Sequence, residues 1–174
     1  MKASKINPKP PFFDRYIKLV EDIDLIDALE KFSPENLFSN QVELEALGDQ
    51  VYEPGKWTIK QIIQHCIDTE RIMGYRALRF ARNDQTELAG FEQDAYADVA
   101  DVSERTLEDL LDEFDLVRAS TLAQFYHWDE DTLKRMGTAS NINISAGALG
   151  FVIVGHAIHH QNIMTSRYLP LFEK

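Results

Sequence analysis

The 174-residue sequence predicts an all-α protein, a four-helix bundle with short extra helices in the connections. Apolar residues recur at three- and four-residue steps, and no stretch shows the sustained apolar–polar alternation of a strand. Capping residues and prolines mark the beginnings and ends of four long segments. The length fits a single domain over residues 1–174, in which residues 1–11, rich in lysine and proline, form a flexible N-terminal tail.

Two of the long helices fall in the first half of the chain. The first is predicted from Phe12 to Phe32, with its apolar residues at helical spacing. A shorter helix follows, because Ser33 is a preferred N-cap with proline next to it, and Gly48 ends that helix. Thr58 then caps the second long helix, which is predicted from Ile59 to Arg82.

The second half holds the other two long helices. Residues 83–102 have weak periodicity and are predicted to form a long ordered loop, a type of segment that is often functional. The third long helix begins at Ser103 and ends near residue 125. After a connection with a short acidic turn, Ser145 caps the last long helix, which ends at about Tyr168 because a proline follows two residues later.

Composition excludes several classes of protein. The formal net charge is −11, and a chain this acidic repels phosphate backbones, so we expect no nucleic-acid partner. A cluster of arginines, Arg71, Arg76, Arg79 and Arg82, shares its helix with acidic residues and is expected to pair with some of them. There is no apolar run long enough for a membrane span and no secretory signal, and the single cysteine, Cys66, allows no internal disulfide. We therefore expect a cytoplasmic protein.

Two histidines interrupt the apolar stripe of the last helix. His156 and His160 are four residues apart, which places them one turn apart on the same side. Helical histidine pairs of zinc proteases use this spacing to reach one ion. A buried imidazole also needs partners for both nitrogens, so a core role for the pair stays open beside metal binding.

Several sequence blocks, in this order, resemble the DinB/YfiT-like superfamily. They cover residues 52–60 (YEPGKWTIK), His65, residues 68–71 (DTER), 75–82 (YRALRFAR), 91–96 (FEQDAY) and 155–160 (GHAIHH). The resemblance implies a four-helix bundle with a three-histidine metal site whose ligands are His65, His156 and His160. It also implies a homodimer. Relatives often carry glutamate where this chain has Ala157, which weakens any transfer of mechanism.

An open three-nitrogen site suits a divalent ion, with zinc or nickel favoured and manganese acceptable. The resemblance implies a metal-dependent thiol S-transferase, in which a low-molecular-weight thiol reacts with a small electrophilic substrate. A metal-dependent hydrolase and a bundle that binds metal or ligand without turnover are the alternatives. His159, beside both predicted ligands, is a candidate proton acceptor or partner of a ligand, and packing at a helix interface is the other reading.

Overall fold

The computed structural model describes residues 1–172. A 3₁₀ turn at Ala3–Lys5 precedes the first helix, and a π-helical turn at Met164–Tyr168 precedes the last. The remaining elements, in chain order, are α1 (Asp14–Ile17), α2 (Leu25–Lys31), α3 (Pro34–Leu37), α4 (Gln41–Leu47), α5 (Ile59–Ala81), α6 (Gln93–Val99), α7 (Leu107–Tyr126), α8 (Glu130–Leu133), β1 (Met136–Ala139), β2 (Ile142–Ser145), α9 (Ala146–Ile163) and α10 (Leu169–Phe172).

Helix α9 forms the centre of the four-helix bundle. It packs against α5, α1 and α2, and α5 packs in turn against α7. Every residue of α9 from Ala146 to Ile158 is buried, so the helix has no solvent-facing side over that length. Gly155 permits the closest approach, because a Cβ at this position would overlap the backbone carbonyl of Tyr16 in α1.

Local capping chemistry predicted several boundaries correctly. The Thr58 hydroxyl accepts the Gln61 backbone N–H, and the Gln61 side chain accepts the Thr58 N–H, which completes a capping box at the start of α5. Ser145 caps α9 by accepting the Ala148 N–H at 3.1 Å. Gly48, with φ of +53°, ends α4 as expected.

The predicted first helix, from Phe12 to Phe32, is wrong, because the chain bends between α1 and α2. The Asp24 carboxylate caps α2 and also pairs with the amino group of Met1 at 2.7 Å. The Asp22 carboxylate accepts the Ser4 N–H at 2.9 Å. Residues 1–11, expected as a flexible tail, are therefore packed on the bundle, with Ile6 buried.

Three further boundaries differ from the sequence prediction. The short helix predicted to end at Gly48 is split into α3 and α4, and the predicted loop over residues 83–102 contains α6. Helix α7 begins after Thr106 rather than at Ser103, because Thr106 and Asp109 form a second capping box. The short helices in the connections agree with the predicted architecture.

A β-hairpin, which the sequence analysis missed, precedes α9. Strands β1 and β2 pair antiparallel, and Ser140 and Asn141 between them have φ of +53° and +60°. Positive φ at both central residues is typical of the type I′ hairpin turn. The last helix also continues past its predicted end at Tyr168, because the π-helical turn leads into α10, which contains Pro170.

A buried ion pair joins α5 to α7. Arg118 and Glu70 are each 2% exposed, and the guanidinium Nη2 lies 2.8 Å from a Glu70 carboxylate oxygen. Arg118 also donates to the carbonyls of Leu29 and Phe32, at 3.1 and 2.6 Å, so one side chain fixes the end of α2 to the bundle. Over residues 1–172, no helix has the length and hydropathy needed to cross a membrane.

Candidate metal centre

The structure brings the three predicted histidines together. His65 lies in the second turn of α5, and His156 and His160 lie one turn apart on α9, the helix that α5 packs against. All three are buried, with exposed fractions of 5%, 5% and 8%. The sequence could not establish that these two helices face each other, and the fold shows that they do.

The imidazole nitrogens converge on one point. The Nε2 atom of His156 lies 3.1 Å from Nε2 of His65 and 3.2 Å from Nε2 of His160. A tetrahedral ion with metal–nitrogen bonds of about 2.0–2.1 Å separates neighbouring ligand atoms by about 3.3 Å, and octahedral geometry brings them to about 2.9 Å. The observed spacing falls between these values, so the residues fit a divalent ion.

The electrostatics keep the imidazoles neutral, which is the form that binds metal. Burial lowers the pKa of His65 to about 4, against a weaker opposing effect of the Asp94 carboxylate. Burial lowers the pKa of His156 and His160 well below 6.5. The neighbouring His160 and His65 lower the pKa of His156 further, and His65 lowers that of His160 further. With Nε2 directed at the centre, Nδ1 carries the proton, and the buried Nδ1 of His160 has no hydrogen-bond partner within residues 1–172.

Aromatic rings surround the three imidazoles. The Tyr16 ring from α1 meets His156 edge-on at a centroid distance of 5.3 Å, and Trp57 lies 4.8 Å from the His65 ring. His159 also meets Tyr16 edge-on, at 5.5 Å, and is only partly buried. These contacts restrict the orientation of the imidazole rings.

Two cavities reach the histidines from different sides. The first, which we call the His156 cavity, has a volume of about 450 Å³ and a mixed wall that includes Phe13, Tyr16 and Met73 together with Arg15 and Arg76. The second, the His160 cavity, has a volume of about 590 Å³ and is lined by His159, His160, Lys56 and Tyr168, among others. Gln93 and Asp94, at the start of α6, line both cavities.

The sequence profile of the DinB superfamily matches residues 20–164, most of the chain. The chain belongs to the DinB superfamily. Among solved structures it is similar to YfiT from Bacillus subtilis, described as a probable metal-dependent hydrolase with an unusual four-helix bundle topology. The identity is 19%, the match covers 84% of this chain and 85% of that chain, and the TM-score is 0.73, so the likeness establishes the fold. No curated protein sequence matches significantly.

The other residues that the sequence pointed to in this DinB protein lie outside the histidine group. Cys66 is buried, burial raises the pKa of its thiol, and it lies outside the histidine group. Ala157 is buried in an apolar cluster. The predicted pairing of these arginines with acids of their own helix is wrong: Arg71 pairs with Glu113 of α7 and Arg79 with Asp84, which follows α5. Arg76 has no carboxylate within 4.0 Å among the described residues.

The contribution of α1 to the site was not predicted from the sequence, and that of α6 was predicted only in part. Tyr16 appeared only as an apolar position of a helix, and only the fold places its ring against His156. Asp94 and Tyr96 belong to residues 83–102, which the sequence predicts to form a long loop of a type that is often functional. Asp94 lines both cavities, and Tyr96 lines a small recess beside His65.

Proposed function

We propose that His65, His156 and His160 hold one divalent metal ion, and that this DinB protein is a metal-dependent thiol S-transferase acting on a small electrophile. The observation that carries the proposal is the convergence of the three histidines, of which His156 lines one cavity and His160 lines another. Zinc or nickel is the expected ion, since imidazoles suit both, and manganese is acceptable.

The donor set supports an open rather than a closed metal site. Three neutral histidines and no fourth His, Cys, Asp or Glu make up the group found within residues 1–172. Structural zinc sites are closed by four protein ligands, whereas catalytic sites keep a position free. A divalent ion held here supplies a positive charge that lowers the pKa of a thiol or water reaching it.

The two cavities support a reaction between two molecules. A thiol in one and an electrophile in the other would meet at the histidines, with each held by its own wall. In the transfer, a sulfur–carbon bond forms, the bond from that carbon to its leaving group breaks, and the thiol proton passes to a base. His159 lies in the His160 cavity and is our candidate for that base.

Hydrolysis is the second candidate, and the description of YfiT as a probable metal-dependent hydrolase favours it. The same site would then take water in place of the thiol. In either reaction, Tyr16 and Trp57 keep the histidine rings in place, and Asp94 lines both cavities.

Two assays test the proposal on tag-free protein loaded with zinc or nickel. We expect one ion per chain by mass spectrometry of metals, and thiol-dependent consumption of 1-chloro-2,4-dinitrobenzene with glutathione or cysteine. Hydrolysis of p-nitrophenyl acetate without thiol would favour the second candidate.

The variant His156→Ala should lose both the metal and the activity, while the control His127→Ala, an exposed histidine at the end of α7, should keep both. Metal content unchanged in His156→Ala would refute the site. Background rates for both substrates in the metal-loaded wild type would refute catalysis and leave a metal-binding bundle without turnover.

A further inference from the structure

Arg76 is a buried cation without a counter-charge. It lies on α5 with 3% of its surface exposed, and its Nη2 donates to the Ala89 carbonyl at 2.8 Å and to the Ser140 hydroxyl at 3.2 Å. Both acceptors are neutral, and no carboxylate lies within 4.0 Å among residues 1–172. Burying a charge without an ionic partner is costly, so the fold retains Arg76 at the expense of stability.

The position of Arg76 connects it to the metal centre. Arg76 follows His65 by eleven residues, which is about three helical turns. The two residues therefore lie on nearly the same face of α5, about 16 Å apart along the helix axis. Thr69 and Met73 lie between them on this face, and side chains on a helix lean toward its N-terminus, here toward His65. Thr69, Met73 and Arg76 all line the His156 cavity.

A second group in this cavity also has no partner. The Thr69 side chain is 3% exposed, and its hydroxyl oxygen makes no hydrogen bond with any described residue. A buried hydroxyl without a partner costs free energy comparable to a lost hydrogen bond. Arg76 and Thr69 therefore offer a charged donor and a neutral donor to the same cavity.

The rest of the wall is mixed: part of it is apolar and suits an apolar body, and Arg15, whose side chain is exposed, is the other cation that lines it. Phe91, Val152 and the ring of Tyr16 face the cavity, and Phe12 stands at its edge with 58% of its surface exposed and φ of +66°. A bulky residue with positive φ is strained, and such strain is concentrated at ligand sites.

Two acids also line the cavity, Glu92 and Asp94, but both are exposed and neither pairs with Arg76. Solvent screens exposed charges. The two acids therefore repel a bound anion less strongly than the buried Arg76 attracts it.

We propose that Arg76, assisted by Thr69, binds the carboxylate of a small substrate with an apolar body, whose other end lies beside His156. This inference rests on the proposed function, because it names the substrate class of the same site. Because Ala89 and Ser140 accept from both Nη2 protons, a carboxylate would accept a charge-assisted hydrogen bond from one of the remaining guanidinium N–H groups of Arg76. The Ser140 hydroxyl in the hairpin turn accepts from the guanidinium and helps to hold it in place at the cavity wall.

Benzoate and benzamide test the proposal, because they share shape and differ in charge. Binding is measured by calorimetry on the full chain, both as purified and after removal of metal with a chelator. We expect benzoate to bind the metal-free protein at least tenfold more tightly than benzamide, because a hydrogen bond to a charged group contributes more than one to a neutral group. Equal affinities, or benzoate binding that requires metal, would overturn the proposal.

Four variants assign the effect to residues. Arg76→Gln should remove the preference for benzoate, Thr69→Val should weaken benzoate about threefold or more, and Glu92→Gln should leave it equal or tighter. Arg71→Gln, which removes an exposed arginine outside this cavity, should match the wild type. A preference retained in Arg76→Gln would refute the assignment.

If Arg76→Gln does not fold, the arginine Nε–H resonances of the wild type decide the question. The resonance assigned to Arg76 should move when benzoate is added, and in Thr69→Val the same movement should need about threefold more benzoate or higher; no movement of that resonance would overturn the proposal. The outcome is independent of turnover. Selective benzoate binding without activity would refute only the proposed function, and activity with no role for Arg76 in binding would refute only this inference.

Discussion

Acidification of the metal-free protein should reduce its stability through the buried histidines. His65 has a pKa of about 4 in the folded state, lowered from 6.5 by burial. In the unfolded chain the same group binds a proton near pH 6.5. Between these values the unfolded state takes up more protons than the folded state, so stability is full above pH 6.5 and is lost as the pH falls toward 4.

The size of this loss follows from the difference between the two pKa values. For His65 alone, it amounts to about 3 kcal/mol between pH 6.5 and 4, since one pKa unit corresponds to about 1.4 kcal/mol. The pKa values of His156 and His160 are lowered in the same direction, also by burial. The whole site should therefore make the stability curve steeper than one histidine would.

Chemical unfolding followed by far-UV circular dichroism, with chelator present, measures this curve between pH 7 and 4. The variant His65→Gln lacks the titrating group. Its free energy of unfolding, relative to that of wild type, should therefore rise by about 3 kcal/mol as the pH falls from 7 to 4. The control His127→Gln removes an exposed histidine and should run parallel to wild type. If His65→Gln is also parallel to wild type, within about 0.5 kcal/mol, the imidazole of His65 is not held neutral in the fold.

Three further perturbations have expected outcomes. Arg118→Met leaves the buried carboxylate of Glu70 without its partner and should cost about 3–5 kcal/mol in urea unfolding, whereas the double variant with Glu70→Leu should recover part of this loss. Gly155→Ala places a methyl group against the Tyr16 backbone and should cost about 1–3 kcal/mol in the same assay. Zinc at a hundred times its Kd should stabilise the wild type by about 2.7 kcal/mol, or roughly 5–10 °C in Tm by calorimetry, and should not stabilise His156→Ala.

Matched controls separate these effects from general damage. Arg71→Met breaks a pair with Glu113 in which the arginine is 51% exposed, and should cost less than about 1 kcal/mol. Gly74→Ala adds a methyl group on α5 that meets no atom within 4 Å, and should be neutral or stabilising by up to about 1 kcal/mol. If either control loses as much as its counterpart, burial and close packing are not the causes.

Features determined by neighbouring residues were predictable from the sequence. Thr58 and Ser145 begin their helices because a hydroxyl reaches a backbone N–H three residues later, which is a local contact. The spacing of His156 and His160 is local in the same sense. The apolar stripe assigned to that helix was not informative, however, because α9 is buried on all sides as far as Ile158.

Features determined by distant contacts were not predictable. The break in the first helix depends on Met1 and Asp24, which are 23 residues apart, and the contact of His65 with His156 joins residues 91 apart. The hairpin escaped detection because its turn uses Ser140 and Asn141 in place of the Asn-Gly pair that signals such turns. Arg76 lost its expected ion pair for a similar reason, since only the fold determines which acids reach it.

A crystal structure of the zinc-loaded protein, with anomalous scattering recorded at the zinc edge, tests the central claim most directly. We predict one strong anomalous peak per chain, with the Nε2 atoms of His65, His156 and His160 at about 2.0–2.1 Å and no fourth protein ligand. A peak elsewhere on the chain, a site closed by a fourth side chain, or three histidines without a peak between them would contradict the account.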